Sequence, residues 1–174
     1  MTPTPVTYET KDQWLAARRS GLGSSDAAAV LGISPWTSPL KLYAEKVGLL
    51  EPDAEESERM KWGLRLQPVI GLAYAEETGR QLIAPPEWTL FRAAPAWLIA
   101  SPDFSVASDP RGPGGVEVKS ADYLKADDWK DAPPLHYQVQ AQHQMAVMGW
   151  AWCSLAVLIG GNRFLWTDVE RNER

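Results

Sequence analysis

The sequence predicts an α/β fold in which helices flank a mixed, mostly antiparallel central sheet. Three observations carry that expectation. The first eighty or so residues read as capped segments of helical period, and residues 81–119 break into short apolar runs punctuated by Pro and Gly. A glutamine-rich helical segment then separates that region from two strand-like runs. A chain of 174 residues suits one domain with a sizeable core, and no stretch looks like a linker long enough to divide it, so residues 1–174 are expected to form a single domain.

Thr10-Lys11-Asp12-Gln13 has capping-box spacing, and Trp14, Leu15 and Arg18 follow at helical offsets. A first helix over about 11–19 follows, ended by Gly21 and Gly23. In residues 23–32 a capping Ser or Asp opens a short alanine-rich helix that Gly32 closes. Its N-terminal N–H groups, hydroxyls and preceding Arg18 suit either an ordinary capped helix or a seat for a phosphate. Ser38-Pro39 starts a third helix, with Leu40, Tyr43 and Val47 on one side and Gly48 past its end. Residues 55–78 keep a helical pattern through Met60, Leu64, Leu66, Ile70 and Tyr74 up to Gly79, with a break or kink expected at Pro68. Lys61 and Arg65 lie one turn apart there, as a local basic strip or a merely solvated face.

Runs at 81–84, 88–92, 97–100, 104–106 and 115–119 predict a mostly antiparallel meander. Residues 122–134 read as a polar connection with a helical turn at 125–130. Pro133-Pro134 precedes a helix from Leu135 to Met148, ended by Gly149. Gln138, Gln142 and Met145 share one stripe of it, so two amides are expected to face a site on the preceding sheet. That helix should cross over to another strand. Residues 150–159 and 164–170, joined by Gly160-Gly161-Asn162-Arg163, predict a terminal hairpin whose first strand is apolar enough to be covered on both faces.

Composition excludes several classes. Nine Trp and fourteen Pro argue for aromatic packing beneath rigid loops and against disorder. Met1–Thr10 has neither a basic n-region nor an apolar h-region, and no run approaches a membrane span, which leads to an expected cytosolic protein with no membrane partner. Cys153 stands alone in an apolar run and reads as a buried thiol. His136 and His143 are seven residues apart with no Cys or third His to complete a zinc site, and read as helix-surface or DNA-facing side chains. A formal charge of −5 is awkward for a nucleic-acid partner unless a local basic groove offsets it.

The chemistry concentrates in residues 97–120. Asp109-Pro110-Arg111-Gly112-Pro113-Gly114 cannot continue helix or strand, so the runs on either side form a hairpin that sets Asp103 beside Glu117. Alternation puts Glu117 and Lys119 on one face, with Val116 and Val118 pointing into a core. Two adjacent carboxylates repel unless a proton or cation lies between them, and hard oxygen donors suit Mg²⁺ or Mn²⁺.

Pro102-Asp103 followed by Glu117-Val118-Lys119 matches the PD-(D/E)xK signature of a large nuclease superfamily. Arg18 with Gly21-Leu22-Gly23-Ser24-Ser25-Asp26, Trp62-Gly63-Leu64-Arg65-Leu66, Thr78-Gly79, Ser101-Pro102-Asp103, Glu117-Val118-Lys119 and Gln138-Val139-Gln140 occur in the order found in YqaJ-like phage recombinases. The chain resembles that family, relatives of the lambda exonuclease, from about Trp14 to Glu170. The resemblance implies a restriction-endonuclease-like core and a Mg²⁺-dependent deoxyribonuclease, with Mn²⁺ as a substitute. Such an enzyme digests linear double-stranded DNA from its 5′ end and passes the exposed strand to a single-strand annealing protein, in some relatives as a ring-like homo-oligomer. It also implies a bacterial cytoplasm and a phage or prophage origin.

Carried over by position, Asp103, Glu117 and the Val118 carbonyl would bind metal, Lys119 would orient or activate water, and Gln138 would contact that water or the DNA. Arg18 and Ser25, with Arg65, would hold DNA phosphate. The sequence departs from the family at Gln67, where a Glu is usual, which lowers the expected metal affinity or second-metal occupancy. It also ends at Arg174, where relatives usually continue into helices, so weaker DNA grip or assembly is expected. These departures motivate the alternative of a nuclease-fold DNA-binding or assembly protein with little or no catalysis.

Overall fold

The structure, a computed structural model, describes residues 3–51 and 57–173. Thr10 caps helix α1 (Lys11–Arg19) by accepting from the Gln13 N–H. A 3-10 turn at Ser24–Asp26 leads into α2 (Ala27–Val30), and Ser38 caps α3 (Pro39–Lys46). Ser57 caps α4 (Glu58–Thr78), which ends at Gly79 in the left-handed conformation. Expected helical residues 55 and 56 lie outside the described residues. The expected break at Pro68 does not occur: α4 runs through it as one helix. Pro68 and Leu64, four residues back, are both exposed, so water can reach the carbonyl that loses its donor.

The strands are β1 (Thr4–Thr7), β2 (Leu82–Ile83), β3 (Thr89–Arg92), β4 (Ile99–Ala100), β5 (Phe104–Val106), β6 (Gly114–Ala121), β7 (Trp152–Ile159) and β8 (Arg163–Glu170). They do not form the single meander that the spacing of residues 81–119 predicts. A five-stranded sheet has the order β2-β5-β6-β7-β8, and β1-β3-β4 forms a separate three-stranded sheet. β1 is unexpected; it contains Pro5 and sits at a sheet edge, where a missing N–H breaks no ladder. β6 and β7 are parallel, while the other pairs in the five-stranded sheet are antiparallel. The crossover between β6 and β7 contains the 3-10 segment Tyr123–Trp129 and α5 (Leu135–Met148), as the sequence leads one to expect.

Alternation along β6 and β7 builds two apolar layers. Val116, Val118, Trp152 and Ala156 pack with Ile70 and Tyr74 of α4. Cys153, Leu155, Val157 and Ile159 pack with Ala141 and Met145 of α5. α4 therefore covers one face of the central strands and α5 the other, which explains why β7 is buried on both sides. Gly71 lets α4 approach closely, since a Cβ there would fall 2.7 Å from the Phe104 ring. Among the described residues no helix is long and apolar enough to cross a membrane.

Candidate active site

β6 carries the acidic centre because its two faces have different tasks. Val116 and Val118 close the α4 layer, which turns Glu117 and Lys119 toward α5. β5 pairs with β6 only as far as Phe104 opposite Val116, so the next residue, Asp103, comes alongside Glu117. Past that point Val118 has no β5 partner, and its N–H instead donates to Asp103 Oδ2 at 2.8 Å. A strand residue presents its N–H and C=O to the same side, so the Val118 carbonyl faces the Asp103 side as well. Among the described residues Asp103 Oδ1 accepts no hydrogen bond.

Glu117 is only 4% exposed, and α5 supplies what keeps it there. Its Oε1 accepts from Lys119 Nζ at 2.5 Å and from Gln140 Nε2, while its Oε2 accepts from Gln144 Nε2 at 2.5 Å. Gln140 and Gln144 are one helical turn apart, so both amides point at one carboxylate. Burial and the Glu117 charge raise the Asp103 pKa, against the pull of Lys119 and the Val118 N–H. Burial opposes the Lys119 charge, but Glu117 and Asp103 together lift its pKa above the ordinary lysine value, so the ammonium persists.

Helix α1 and the following loop bring cationic and hydroxyl groups to the same region. Arg18 Nη2 donates to Ser25 Oγ at 3.0 Å, and its guanidinium lies 4.5 Å from the Trp14 ring centre. Burial lowers the Arg18 pKa, while Asp26 and Glu117 pull it up. Lys46 Nζ holds the loop by donating to Gly21 O at 2.7 Å and Arg18 O at 3.1 Å, with Asp26 Oδ2 2.6 Å away. Gly21 is required: Leu22 N donates to Trp97 O at 2.7 Å, and a Cβ on Gly21 would sit 2.6 Å from that same oxygen.

The structure therefore brings Asp103, Glu117, Val118 and Lys119 together, with the Arg18–Ser25 pair near them. It does not bring in Gln138, whose Nε2 donates to Pro133 O at 2.6 Å. Two residues turn a helix by about 200°, so when Gln140 faces Glu117, Gln138 faces away. The rest of the expected stripe also points elsewhere. Gln142 donates to Glu170 O at 2.7 Å and accepts from Asn172 N at 2.8 Å, and Met145 is in the core.

Gln67 lies half-buried on α4. Among the described residues its amide hydrogen-bonds to none of Asp103, Glu117 and Lys119. Arg65 places its guanidinium 5.1 Å from the Trp62 ring centre on the exposed side of α4, and Lys61 pairs with Glu58 at 2.9 Å. The two histidines diverge: His143 is half-buried with its Nε2 2.9 Å from Ile99 O, and His136 packs on Tyr137. Cys153 is fully buried, and burial pushes its thiol pKa up.

Gln140 and Gln144 are missed by the sequence reading, although their i,i+4 spacing and their position after an acid-x-Lys strand are visible there. Lys46 carries no sequence signal, because the Arg18 and Gly21 carbonyls and Asp26 come close to it only through folding. Chemically, two carboxylates, a carbonyl and a retained ammonium form an oxygen-rich edge in which Glu117 is buried and Asp103 and Lys119 are half-buried. Among the described residues no third His, Cys, Asp or Glu joins the two acids. The free Asp103 oxygen and the mutual repulsion of the acids would suit a hard divalent cation.

Comparison with known proteins bears on the family and the fold. The profile of the YqaJ-like viral recombinase domain matches residues 13–151. The uncharacterized protein YqaJ of Bacillus subtilis (strain 168) is 28% identical over 172 residues, covering 94% of this chain and 51% of that protein. The chain thus spans about half the length of that curated relative. The alkaline exonuclease LHK-Exo of Laribacter hongkongensis superposes with a TM-score of 0.73 at 25% identity, over 94% of this chain and 84% of the other. A phage related exonuclease from Haemophilus somnus 129PT shares the fold, with a TM-score of 0.61 at 12% identity over 87% and 85% of the two chains. With its nuclease-type sheet, its acid-x-Lys strand and a profile match over most of its length, the chain belongs to the YqaJ-like viral recombinase family.

Proposed function

We propose that the chain is a metal-dependent deoxyribonuclease that hydrolyses phosphodiester bonds of linear double-stranded DNA, working 5′ to 3′ with Mg²⁺, or Mn²⁺ in its place. The observation that carries this reading is the convergence of Asp103, Glu117 and Lys119 at one strand edge, with both Glu117 oxygens oriented by side-chain donors. The similarity to LHK-Exo, an alkaline exonuclease also solved in complex with dAMP, supports the substrate class.

Asp103, Glu117 and the Val118 carbonyl would hold the cation. Bound there, it would polarise the phosphate and make water a better nucleophile. Lys119 would leave its ion pair with Glu117 to orient the attacking water and offset charge gathering on the phosphoryl oxygens. Gln140 and Gln144 keep the Glu117 carboxylate oriented, the role usual for groups behind a metal ligand. Arg18 and Ser25 would receive a phosphate of the same strand. Water adds to phosphorus, one P–O ester bond breaks, and the departing oxygen takes up a proton. Delivery of the exposed strand to an annealing protein, assembly into a homo-oligomer, and residence in the cytoplasm of a phage-carrying bacterium complete the proposal.

The second reading, a DNA-binding or assembly protein with little catalysis, is favoured by the edge holding, among the described residues, no third acid beside Asp103 and Glu117. End-labelled linear duplex DNA separates the two. Mg²⁺-dependent nucleotide release that EDTA abolishes and Lys119→Ala reduces at least 100-fold supports the nuclease. DNA binding with no release in either metal supports the alternative.

A further inference from the structure

Trp36 is 62% exposed, in the loop between α2 and α3, and this exposure is not looseness. Ser34 Oγ accepts from the Trp36 and Thr37 N–H groups at 3.2 Å each, which fixes the turn. The indole stands edge-on to His136, with ring centres 4.9 Å apart at 90°, and 6.0 Å from Tyr137. Tyr137 stacks on Trp129 at 5.4 Å and 27°, so the ring beneath the platform is itself held. Much of the Trp36 surface is left to solvent.

The aromatic group is continuous with the acidic edge. Lys119 Nζ lies 5.0 Å from the Tyr137 ring centre, and Arg59 of α4 is close enough to act on the Tyr137 hydroxyl. Together the two centre distances place Trp36 within about 11 Å of the Lys119 ammonium, roughly three base steps at about 3.4 Å each. A rigid exposed aromatic this close to cations is how proteins grip single-stranded nucleic acid: the charges track the backbone and the ring accepts a base face regardless of sequence.

We propose that Trp36 is a stacking platform for a nucleobase of the strand held at the Asp103–Glu117–Lys119 edge, an inference that rests on the nuclease reading above. The occupant is an unpaired base near the cleaved end, whose free face can lie on the indole whatever its identity.

The test is a cycle between protein and substrate. Wild-type, Trp36→Phe and Trp36→Ala proteins are compared on linear duplexes with normal nucleotides or single abasic residues at each of the first four positions of the cleaved strand. Both KM and kcat are measured, along with DNA binding by anisotropy in EDTA. Removing one stacked base costs roughly 5- to 150-fold. Expected is a KM rise in that range for Trp36→Ala with kcat nearly unchanged, and rescue by Phe. One abasic position should weaken wild type similarly and have no further effect on Trp36→Ala. Unchanged KM in Trp36→Ala, or equal losses on abasic and normal DNA at every position, would overturn the platform, as would an effect seen only with an added protein. If no protein releases nucleotide, the nuclease reading fails, and the same cycle in binding still decides the stacking claim.

Discussion

At the residue scale, the centre depends on a conflict between charges that the fold only partly resolves. Buried Glu117 and half-buried Asp103 lie side by side, and one lysine faces both. Without metal, the Asp103 charge should cost stability. Asp103→Asn, which can still accept from the Val118 N–H, is therefore expected to raise the melting temperature at pH 7 in EDTA by roughly 2–4 °C per kcal/mol gained while abolishing cleavage. Mg²⁺ should stabilise wild type and leave this variant unmoved. Differential scanning calorimetry with and without Mg²⁺ checks both. Gln140→Ala should keep the fold and lower cleavage about 10- to 100-fold, since it removes one of the groups orienting Glu117. Gln138→Ala should leave the rate nearly unchanged, because its amide serves Pro133.

At the element scale, one glycine decides how closely β6 packs. A Cβ on Gly115 would fall 2.2 Å from the Trp150 ring, with no flexible chain end to yield. Gly115→Ala is thus expected to destabilise by at least about 1–3 kcal/mol, read as a shifted urea midpoint.

The same scale shows what the sequence made legible. α1, α3, α5 and the β7–β8 hairpin were readable because their caps, periods and turns are local. The Asp103–Glu117 pair was readable too, since β-alternation and a single turn suffice to set it. The division into two sheets was not readable, because β3 and β4 pair with β1, whose proline-bearing run lacks a strand pattern. Gln138 was chosen over Gln140 because a periodic stripe does not say which way it faces; only docking of α5 on β6 decides that. That Pro68 does not break α4 was not readable either, because its cost depends on exposure, which the sequence does not reveal.

At the scale of the whole molecule, the side away from the acidic edge is stabilised by a separate polar network. Arg80 donates to Asp168 at 3.0 and 3.1 Å and to the Tyr74 hydroxyl, and Arg111 donates to Asp168 at 2.7 Å while lying 3.9 Å from the Trp152 ring centre. Burial disfavours the Asp168 charge, yet Arg80, Ser154 and Arg111 hold its pKa below the ordinary value. Arg111 does the same for Asp109. A depressed folded pKa means stability that is present above the unfolded value of about 4 and lost as the pH falls through the folded one. Asp168→Asn should cost about 1.5–3 kcal/mol at pH 7 and flatten the loss of melting temperature below pH 4. Thermal melts between pH 2 and pH 8 read both effects.

The central claim is that the Asp103–Glu117–Lys119 edge cleaves DNA through a divalent cation. It is tested most directly by the rate of nucleotide release from linear duplex DNA across a Mg²⁺ titration, in wild type and Asp103→Asn. Expected are a saturable rise in wild type, none in EDTA, and at least a 100-fold loss in Asp103→Asn at every Mg²⁺ concentration. A rate that persists in EDTA, or that Asp103→Asn leaves unchanged, would contradict it.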